Sequence, residues 1–240
     1  MILILYGDLL QSDILQFGYK KNMSGTQCSW MVLEVVSYYF RHNTTVQAAY
    51  LDCTKTFDTC VFSTLFTKVL DRGVPAIVVR VLLKIYRTHR CWVKWSAGQS
   101  VLHVFGISGT RQGSRVSPSI FAVYLDGLLC ELRDSGVGCH VGDVFVGVGA
   151  FADDLVLLAP SHDGLQQLLN ITDDYARRYN LTFSVDDNPA PLSLCGCLLL
   201  WVDRADHLGH VIHRSGSQDY NTARASYIGC LLYTSDAADE

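Results

Sequence analysis

The sequence predicts an α+β fold in which helices pack on one face of a sheet. Short apolar runs of strand length alternate along the chain with longer segments in which apolar residues recur at helical spacing. The resulting order of strand, helix, hairpin and helix is typical of sheets with segregated helices. Hydrophobic residues make up 49% of the 240-residue chain and charged residues only 18%, so a folded chain with a sizeable core is expected.

The individual elements follow from periodicity and local punctuation. An apolar stripe at helical spacing predicts a helix from Thr26 to about Arg41, and the apolar run from Val46 to Leu51 predicts a buried strand that ends at Asp52. Gly73 and Pro75 would end one helix and begin the next. The other predicted elements are helices at about 60–72, 75–89, 117–133 and 163–179, a hairpin of 91–95 with 101–105, and strands at 144–151, 155–159 and 181–185.

Charge and hydropathy narrow the function classes. The net charge of −4 is unusual for a protein that binds nucleic acid, so basic residues would have to concentrate on one face or lie outside this stretch of chain. The apolar residues 1–10 lack the features of a signal peptide, and no apolar run is long enough to cross a bilayer. The nine cysteines have no zinc-type spacing and are expected to be mostly buried free thiols. These patterns predict an intracellular protein without membrane contact.

Three aspartates stand where apolar strands end. Asp52 closes one strand, and Asp153 and Asp154 lie in a turn between two apolar runs. Adjacent carboxylates near a core resist ionisation, and bound divalent cations would remove that cost. Oxygen-only ligands favour Mg²⁺, which commonly takes one or two carboxylates plus substrate phosphates. The alternative interpretation of the pair at 153–154 is an ordinary hairpin turn, in which Asp is frequent.

Three segments, in the same order, resemble sequence blocks of the reverse transcriptases (RNA-directed DNA polymerases) of non-LTR, LINE-type retrotransposons. LDCTKTFD at 51–58 is similar to their first catalytic block, GTRQGSRVSP at 109–118 to their template- and nucleotide-positioning block, and AFADD at 150–154 to their catalytic box. QFGY at 16–19 resembles a fingers motif, and HLGHVI at 207–212 resembles the primer-grip hairpin. The resemblance spans residues 16–217 and implies a polymerase palm with partial α-helical fingers and no thumb.

The resemblance also implies a role for each matching residue. The catalytic, metal-binding carboxylates, for two Mg²⁺ ions with Mn²⁺ as a substitute, would be Asp52, Asp153 and Asp154. Phe57 would be the steric gate that excludes a ribose 2′-OH, with core packing as the alternative. Nucleotide and template contacts would come from Arg111, Gln112, Gly113, Ser117 and Pro118, and the primer grip from Leu208 and Gly209. Further nucleic-acid contacts, with a merely solvated surface as the alternative, would come from Lys55, Arg80, Lys84 and Arg87.

The implied reaction adds deoxynucleotides, from deoxynucleoside triphosphates and with release of pyrophosphate, to the 3′-OH of a DNA primer on an RNA template. The implied location is the nucleus. The chain departs from the family where a Lys near the pyrophosphate is usual. No Lys occurs between Arg178 and Arg204, and a deletion around 188–191 would explain this. We therefore expect a truncated copy with little or no activity. The alternatives are a non-catalytic remnant that binds nucleic acid weakly and an unrelated Mg²⁺-dependent hydrolase.

The resemblance and the C-terminal tail together predict the domain organisation. Partial fingers are expected at 1–45, a palm at 46–217 with inserted fingers helices at about 60–105, and the start of a truncated downstream region at 218–229. The tail at 230–240, CLLYTSDAADE, matches an in-frame translation of a sequencing-library transposase adapter and shows no helix or strand pattern. We expect this tail to be an artefact.

Overall fold

The structure, a computed structural model, describes residues 2–53, 60–88, 114–183, 192–194, 204–208 and 210–213, together with six short strands of two residues each outside these ranges. The helices in this part of the chain are α1 (Ile2–Tyr6), α2 (Gly25–Arg41), α3 (Phe62–Asp71), α4 (Ala76–Arg87), α5 (Ser117–Asp134) and α6 (His162–Tyr179). The strands are β1 (Gln47–Asp52), β2 (Arg90–Cys91), β3 (Lys94–Trp95), β4 (Gly98–Gln99), β5 (His103–Val104), β6 (His140–Val141), β7 (Val144–Phe145), β8 (Val148–Phe151), β9 (Asp154–Ala159), β10 (Ser193–Leu194), β11 (Cys197–Leu198), β12 (Arg204–His207), β13 (His210–His213) and β14 (Leu231–Leu232).

The main sheet has the strand order β14-β1-β9-β8. Strand β1 pairs antiparallel with β9 along its whole length, from Gln47 opposite Ala159 to Asp52 opposite Asp154. Strand β8 pairs antiparallel with the first part of β9. All residues from Leu155 to Ala159 are fully buried, so the side chains on both faces of β9 are covered. This explains why β9 has a continuous apolar sequence and does not alternate apolar with polar residues.

Helix α2 forms because a capped start precedes an apolar stripe. The Ser24 Oγ accepts a hydrogen bond from the Gln27 backbone N–H (3.4 Å), and the Gln27 side chain accepts one from the Ser24 backbone N–H (2.8 Å), which is a capping box. Its buried side chains join a core cluster with both long strands of the sheet: Val32, Val35, Val36, Ala48, Tyr50, Val156 and Leu158. Helix α2 therefore packs on the sheet beside β1 and β9.

Helix α6 also has clear end signals. The Ser161 side chain accepts a hydrogen bond from the Gly164 backbone N–H (3.1 Å) at its start, and Asn180, with φ 52°, ends it in the left-handed conformation. Its buried face packs against β9 and β1 and includes Leu165, Leu168, Leu169 and Tyr175. None of the helices that the structure describes is long and apolar enough to cross a bilayer.

The chain divides into two compact units. The first comprises residues 1–12 and 55–124, and the second comprises 13–54 and 125–240. In the first unit, α3 packs against α4 through edge-to-face contacts of Tyr86 with Phe62 (5.8 Å between ring centroids) and Phe66 (5.4 Å). The second unit contains the main sheet with α2 and α6. Helix α5 begins in the first unit and continues into the second.

The predicted helices agree with α2 to α6 apart from small differences at their ends, but three β predictions need correction. The run 144–151 is two strands, because β7 pairs with β6 whereas β8 joins the main sheet. The change of partner falls between Val146, whose N–H donates to the Cys139 carbonyl oxygen (2.9 Å), and Gly147, whose carbonyl oxygen accepts from the Leu158 N–H (2.8 Å). Of the predicted strand 181–185, Phe183 forms only an isolated bridge with Cys53, and residues 184–185 lie outside the described part. The tail was expected to form no strand, yet its apolar pair Leu231–Leu232 lies parallel to Ala48 and Ala49 of β1.

The predicted hairpins are confirmed in outline. Strands β2 and β5 pair, and β3 pairs with β4, so part of the predicted loop at 96–100 is itself strand. Strands β12 and β13 form the predicted hairpin at 207–212, with Leu208 at φ 51° in the turn. The Leu208 side chain packs against the start of α2 at Gly25.

Candidate active site

The sheet register brings the three predicted aspartates together. Asp52 at the end of β1 lies directly opposite Asp154 at the start of β9. Residues directly opposite each other in an antiparallel pair point to the same face, with Cβ atoms about 4.5–5.5 Å apart. Asp153 is the second residue of the turn that joins β8 to β9, in which Phe151 pairs with Asp154. All three side chains are half-buried, so they form one carboxylate cluster at the edge of the core.

The cluster carries unfavourable electrostatics in the absence of cations. Burial, and then the negative charges of Asp153 and Asp52, raise the pKa of Asp154 to about 6. Burial and then Asp154 raise the pKa of the Cys28 thiol to about 12, so this buried thiol stays neutral. Burial, followed by Asp153 and Asp154, raises the pKa of Tyr19 as well. A positive charge beside the cluster would therefore favour the ionised form of Asp154, because it would offset the burial and the repulsion that raise the pKa of this carboxyl.

The donor set suits a hard divalent cation. The three carboxylates offer oxygen ligands only, which Mg²⁺ prefers. Within the described residues, no three His, Cys, Asp or Glu side chains are arranged so that they alone could hold a metal ion. The fit is therefore with an ion whose remaining ligands are water and substrate phosphate oxygens, which is the usual way that Mg²⁺ is bound.

The turn that carries Asp153 has an unusual backbone. Ala152 has φ 61°, a left-handed value that costs a residue with a Cβ roughly 1–2 kcal/mol. The fully buried side chain of Gln16 contacts this residue on both sides of its backbone. Its Oε1 accepts hydrogen bonds from the backbone N–H groups of Ala152 (2.9 Å) and Gly18 (2.8 Å), and its Nε2 donates to the carbonyl oxygen of Ala152 (3.1 Å). The sequence analysis missed these contacts, although the motif QFGY at 16–19 pointed to this segment.

The predicted nucleotide-binding residues are only partly described. Ser117 is buried at the first residue of α5, and its Oγ lies 2.7 Å from the hydroxyl of Tyr86. Pro118 follows as the second helical residue and is half-buried. The predictions for Lys55, Phe57, Arg111, Gln112, Gly113 and Gly209 lie outside the described residues.

The predicted basic stripe lies on one face of α4. Arg80, Lys84 and Arg87 are exposed. The buried face of this helix consists of Val79, Leu82 and Tyr86. This arrangement agrees with a phosphate-binding stripe and equally with a solvated helix face, so both interpretations remain.

The cysteines in the described part are free thiols. Cys28, Cys53, Cys60 and Cys139 are buried, and Cys130 is half-buried. Burial raises the pKa of Cys60 and of Cys139 to about 12, which makes these thiols poor nucleophiles. The four buried cysteines, Cys28, Cys53, Cys60 and Cys139, belong to the hydrophobic core.

Comparisons with known proteins match this arrangement. The profile of the family described as reverse transcriptase (RNA-dependent DNA polymerase) matches residues 10–186. The chain is 31% identical over 155 residues to the Pol polyprotein of the type-2 retrotransposable element R2DM of Drosophila melanogaster, covering 63% of this chain and 14% of that protein. It is 28% identical over 145 residues to the Pol polyprotein of the type-1 retrotransposable element R2 of Popillia japonica, covering 60% and 20%.

Solved structures show the same fold. Apo telomerase from Candida tropicalis superposes with a TM-score of 0.60 at 10% identity and covers 97% of this chain and 40% of the telomerase. Telomerase from Candida albicans in complex with a fragment of telomeric RNA superposes with a TM-score of 0.51 at 13% identity, covering 82% and 36%. At these identities the likeness concerns the fold, and it confirms the predicted α+β polymerase palm.

Proposed function

Because this chain belongs to the reverse transcriptase family and is similar, over part of their length, to Pol polyproteins of R2 non-LTR retrotransposons, we propose that its carboxylate cluster catalyses RNA-directed DNA synthesis. The observation that carries this proposal is the pairing of Asp52 with Asp154 beside the turn that holds Asp153. The partners are an RNA template, a DNA primer and deoxynucleoside triphosphates, and the site of action is the nucleus.

Each aspartate has a distinct task in this proposal. Asp52 and Asp153 hold two Mg²⁺ ions, for which Mn²⁺ can substitute, and Asp154 supports them through its negative charge. When bound, the ions supply charge neutralisation at the attacking and leaving oxygens of an in-line displacement. The protein holds the carboxylates on one face of paired strands, so they need no large rearrangement before nucleotide binds. Because burial raises the pKa of Asp154 to about 6, cation binding and full ionisation of this carboxyl favour each other.

The nucleotide and template contacts come from two further segments. Phe57 is the proposed steric gate against the ribose 2′-OH, and Arg111, Gln112 and Gly113 contact the incoming nucleotide and the template base. Ser117 and Pro118, at the start of α5, complete this set of nucleotide and template contacts, and the Ser117 Oγ lies 2.7 Å from the Tyr86 hydroxyl. Nucleic-acid backbone contacts come from Lys55, Arg80, Lys84 and Arg87, and the primer grip from Leu208 and Gly209.

A second candidate is a catalytically inactive remnant that keeps the palm fold and binds nucleic acid weakly. The sequence between Arg178 and Arg204 favours it, because no Lys is present there to protonate the leaving pyrophosphate. The intact cluster of Asp52, Asp153 and Asp154 favours retained metal chemistry. The two candidates differ in whether the folded chain extends a primer.

Primer extension on an RNA template separates these candidates. The assay compares the full chain with Asp52→Ala, Asp153→Ala and the control Asp143→Ala, with Mg²⁺ and all four deoxynucleoside triphosphates. Asp143 is a matched control because it is also the second residue of a two-residue hairpin turn, but an exposed one, between β6 and β7. Extension by the wild-type and control proteins that both cluster variants lose supports the proposal. Extension that survives in the cluster variants contradicts the site, and no extension by folded wild-type protein favours the remnant.

A further inference from the structure

We propose that Gln16 is a positioning residue for Asp153, which it holds in place through the backbone of Ala152. The inference rests on the proposed function, since it concerns the same carboxylate cluster. The Gln16 amide binds Ala152, the residue immediately before Asp153. The chemical role is therefore indirect: Gln16 fixes the direction from which the Asp153 carboxylate leaves the turn.

The Gln16 side-chain amide forms hydrogen bonds with both backbone groups of Ala152 in the turn. One amide group bonds both the N–H (2.9 Å) and the carbonyl oxygen (3.1 Å) of Ala152, so the peptide units on either side of this residue are both restrained. Gln16 is fully buried, and its Oε1 accepts a further hydrogen bond from the Gly18 N–H (2.8 Å). Removal of this buried amide is costly, because the backbone N–H and carbonyl groups to which it bonds would be left without a hydrogen-bond partner away from water.

Two hairpin turns in the same unit place different residues at the same left-handed φ. The turn between β6 and β7 has Gly142 at its first position with φ 59°, and a Cβ there would meet nothing within 4 Å. The turn between β8 and β9 has nearly the same φ, 61°, at its first position, but the residue there is Ala152. Glycine adopts such a φ without cost, whereas alanine does so only when its surroundings impose it. The Gln16 amide is the restraint that the exposed turn does not need.

The segment that carries Gln16 is itself anchored to the core of the second unit. The Phe17 N–H donates to the carbonyl oxygen of Ala150 (2.7 Å), and the Ala150 N–H donates to that of Leu15 (2.8 Å). Three residues earlier, Asp13 accepts a hydrogen bond from Arg133, and its N–H donates to a carboxylate oxygen of the buried Asp126. The clamp is thus tied to β8 and to α5, so its position is set independently of the turn.

The backbone of residues 16–18 lies very close to the turn at Ala152. A Cβ at Gly18 would lie 2.3 Å from the backbone nitrogen of Ala152, which is too close for any side chain. Glycine at this position therefore allows the backbone of residues 16–18 to approach the turn. Gly18→Ala provides a second way to displace the turn while the Gln16 side chain remains.

The experiment measures turn protection and metal affinity in the full chain. Gln16→Met keeps the side-chain length and removes both amide atoms, and Gly18→Ala displaces the turn by contact. The control is Thr172→Val, which removes a different buried hydrogen bond of the same unit, from the Thr172 hydroxyl to the Leu168 carbonyl oxygen (2.9 Å). Hydrogen–deuterium exchange is followed in peptides that contain Ala152. Mn²⁺ affinity is followed by electron paramagnetic resonance with a deoxynucleoside triphosphate and a primer–template present, because substrate phosphate oxygens complete the proposed metal site.

We expect faster exchange at the turn and a roughly 10- to 100-fold loss of Mn²⁺ affinity in Gln16→Met and Gly18→Ala, the range typical when a group that orients a metal ligand is removed. Thr172→Val should leave both readouts at the turn unchanged. Glycine at position 152 would adopt the positive φ of the turn without strain, even when the Gln16 amide is absent. Adding Ala152→Gly to Gln16→Met should therefore restore part of the Mn²⁺ affinity.

The outcomes separate this inference from the proposed function. Wild-type exchange at the turn in both Gln16→Met and Gly18→Ala overturns the clamp, and faster exchange with unchanged Mn²⁺ affinity overturns its role in positioning Asp153. If the folded wild-type protein binds no Mn²⁺, the proposed function fails, whereas the exchange comparison still decides whether Gln16 holds the turn.

Discussion

Replacing Asp154 with Asn should stabilise the metal-free protein at neutral pH. Burial and the charges of Asp153 and Asp52 raise the pKa of Asp154 from 3.8 to about 6. This shift of about two pK units corresponds to about 3 kcal/mol of folding free energy, at about 1.4 kcal/mol per unit. Because Asp154 is only partly buried, solvent screening lowers the expected gain to about 1–2 kcal/mol.

The sign of the pH dependence follows from proton linkage. A carboxyl whose pKa is raised in the folded state binds its proton more tightly there than in the unfolded chain, so the folded state loses stability as the pH rises. For Asp154 this loss begins near its ordinary pKa of 3.8 and is complete above about 6. Asn carries no titrating group, so the variant and the wild type should differ least at low pH and most above pH 6.

Urea unfolding in a metal chelator, repeated from about pH 4 to about pH 8, measures this difference as a change in the midpoint at constant slope. Asp143→Asn is the control, because Asp143 is also the second residue of a two-residue hairpin turn but lies in an exposed one. An Asp154→Asn variant that is no more stable than the wild type at neutral pH, or whose gain in stability is the same at every pH, would contradict this prediction.

Three further predictions concern other parts of the molecule. Phe57→Val should relax selection against ribonucleotides, which is measured by competing deoxynucleotide and ribonucleotide incorporation; unchanged selection would make Phe57 a packing residue. Ser24→Ala removes the cap of α2 and should lower the free energy of unfolding by about 1 kcal/mol in urea, and a neutral effect would mean that the capping box contributes nothing. Leu168→Ala opens a cavity between α6 and the sheet and should cost about 2–5 kcal/mol, measured in the same way; a loss well below this range would contradict the packing described here.

The sequence was sufficient wherever one local signal decided the structure. Helix α2 could be predicted because its apolar stripe has helical period and packs onto the sheet as that period requires. Strand β1 and its closing Asp52 were predictable because a short, mostly apolar run is typical of a buried strand. The resemblance of AFADD at 150–154 to a catalytic box then directed attention to Asp153 and Asp154.

Features that depend on contacts between distant residues could not be predicted in this way. The run 144–151 has uniform strand character, and its division depends on the different strands, β6 and β9, with which its two parts pair. The pairing of Asp52 with Asp154 depends on the register of two strands about a hundred positions apart in sequence, which no local pattern fixes. The hydrogen bonds of Gln16 to Ala152 span a similar separation, and a single Gln in a polar segment gives no local sign of them.

Mn²⁺ binding by the full chain tests most directly whether Asp52, Asp153 and Asp154 form one metal site. Electron paramagnetic resonance would be recorded with a deoxynucleoside triphosphate and a primer–template present, on the wild type, Asp52→Ala, Asp153→Ala and the control Asp143→Ala. The account predicts saturable binding by the wild-type and control proteins and weakened binding in both cluster variants. Equal binding by all four proteins, or none by folded wild-type protein, would contradict it.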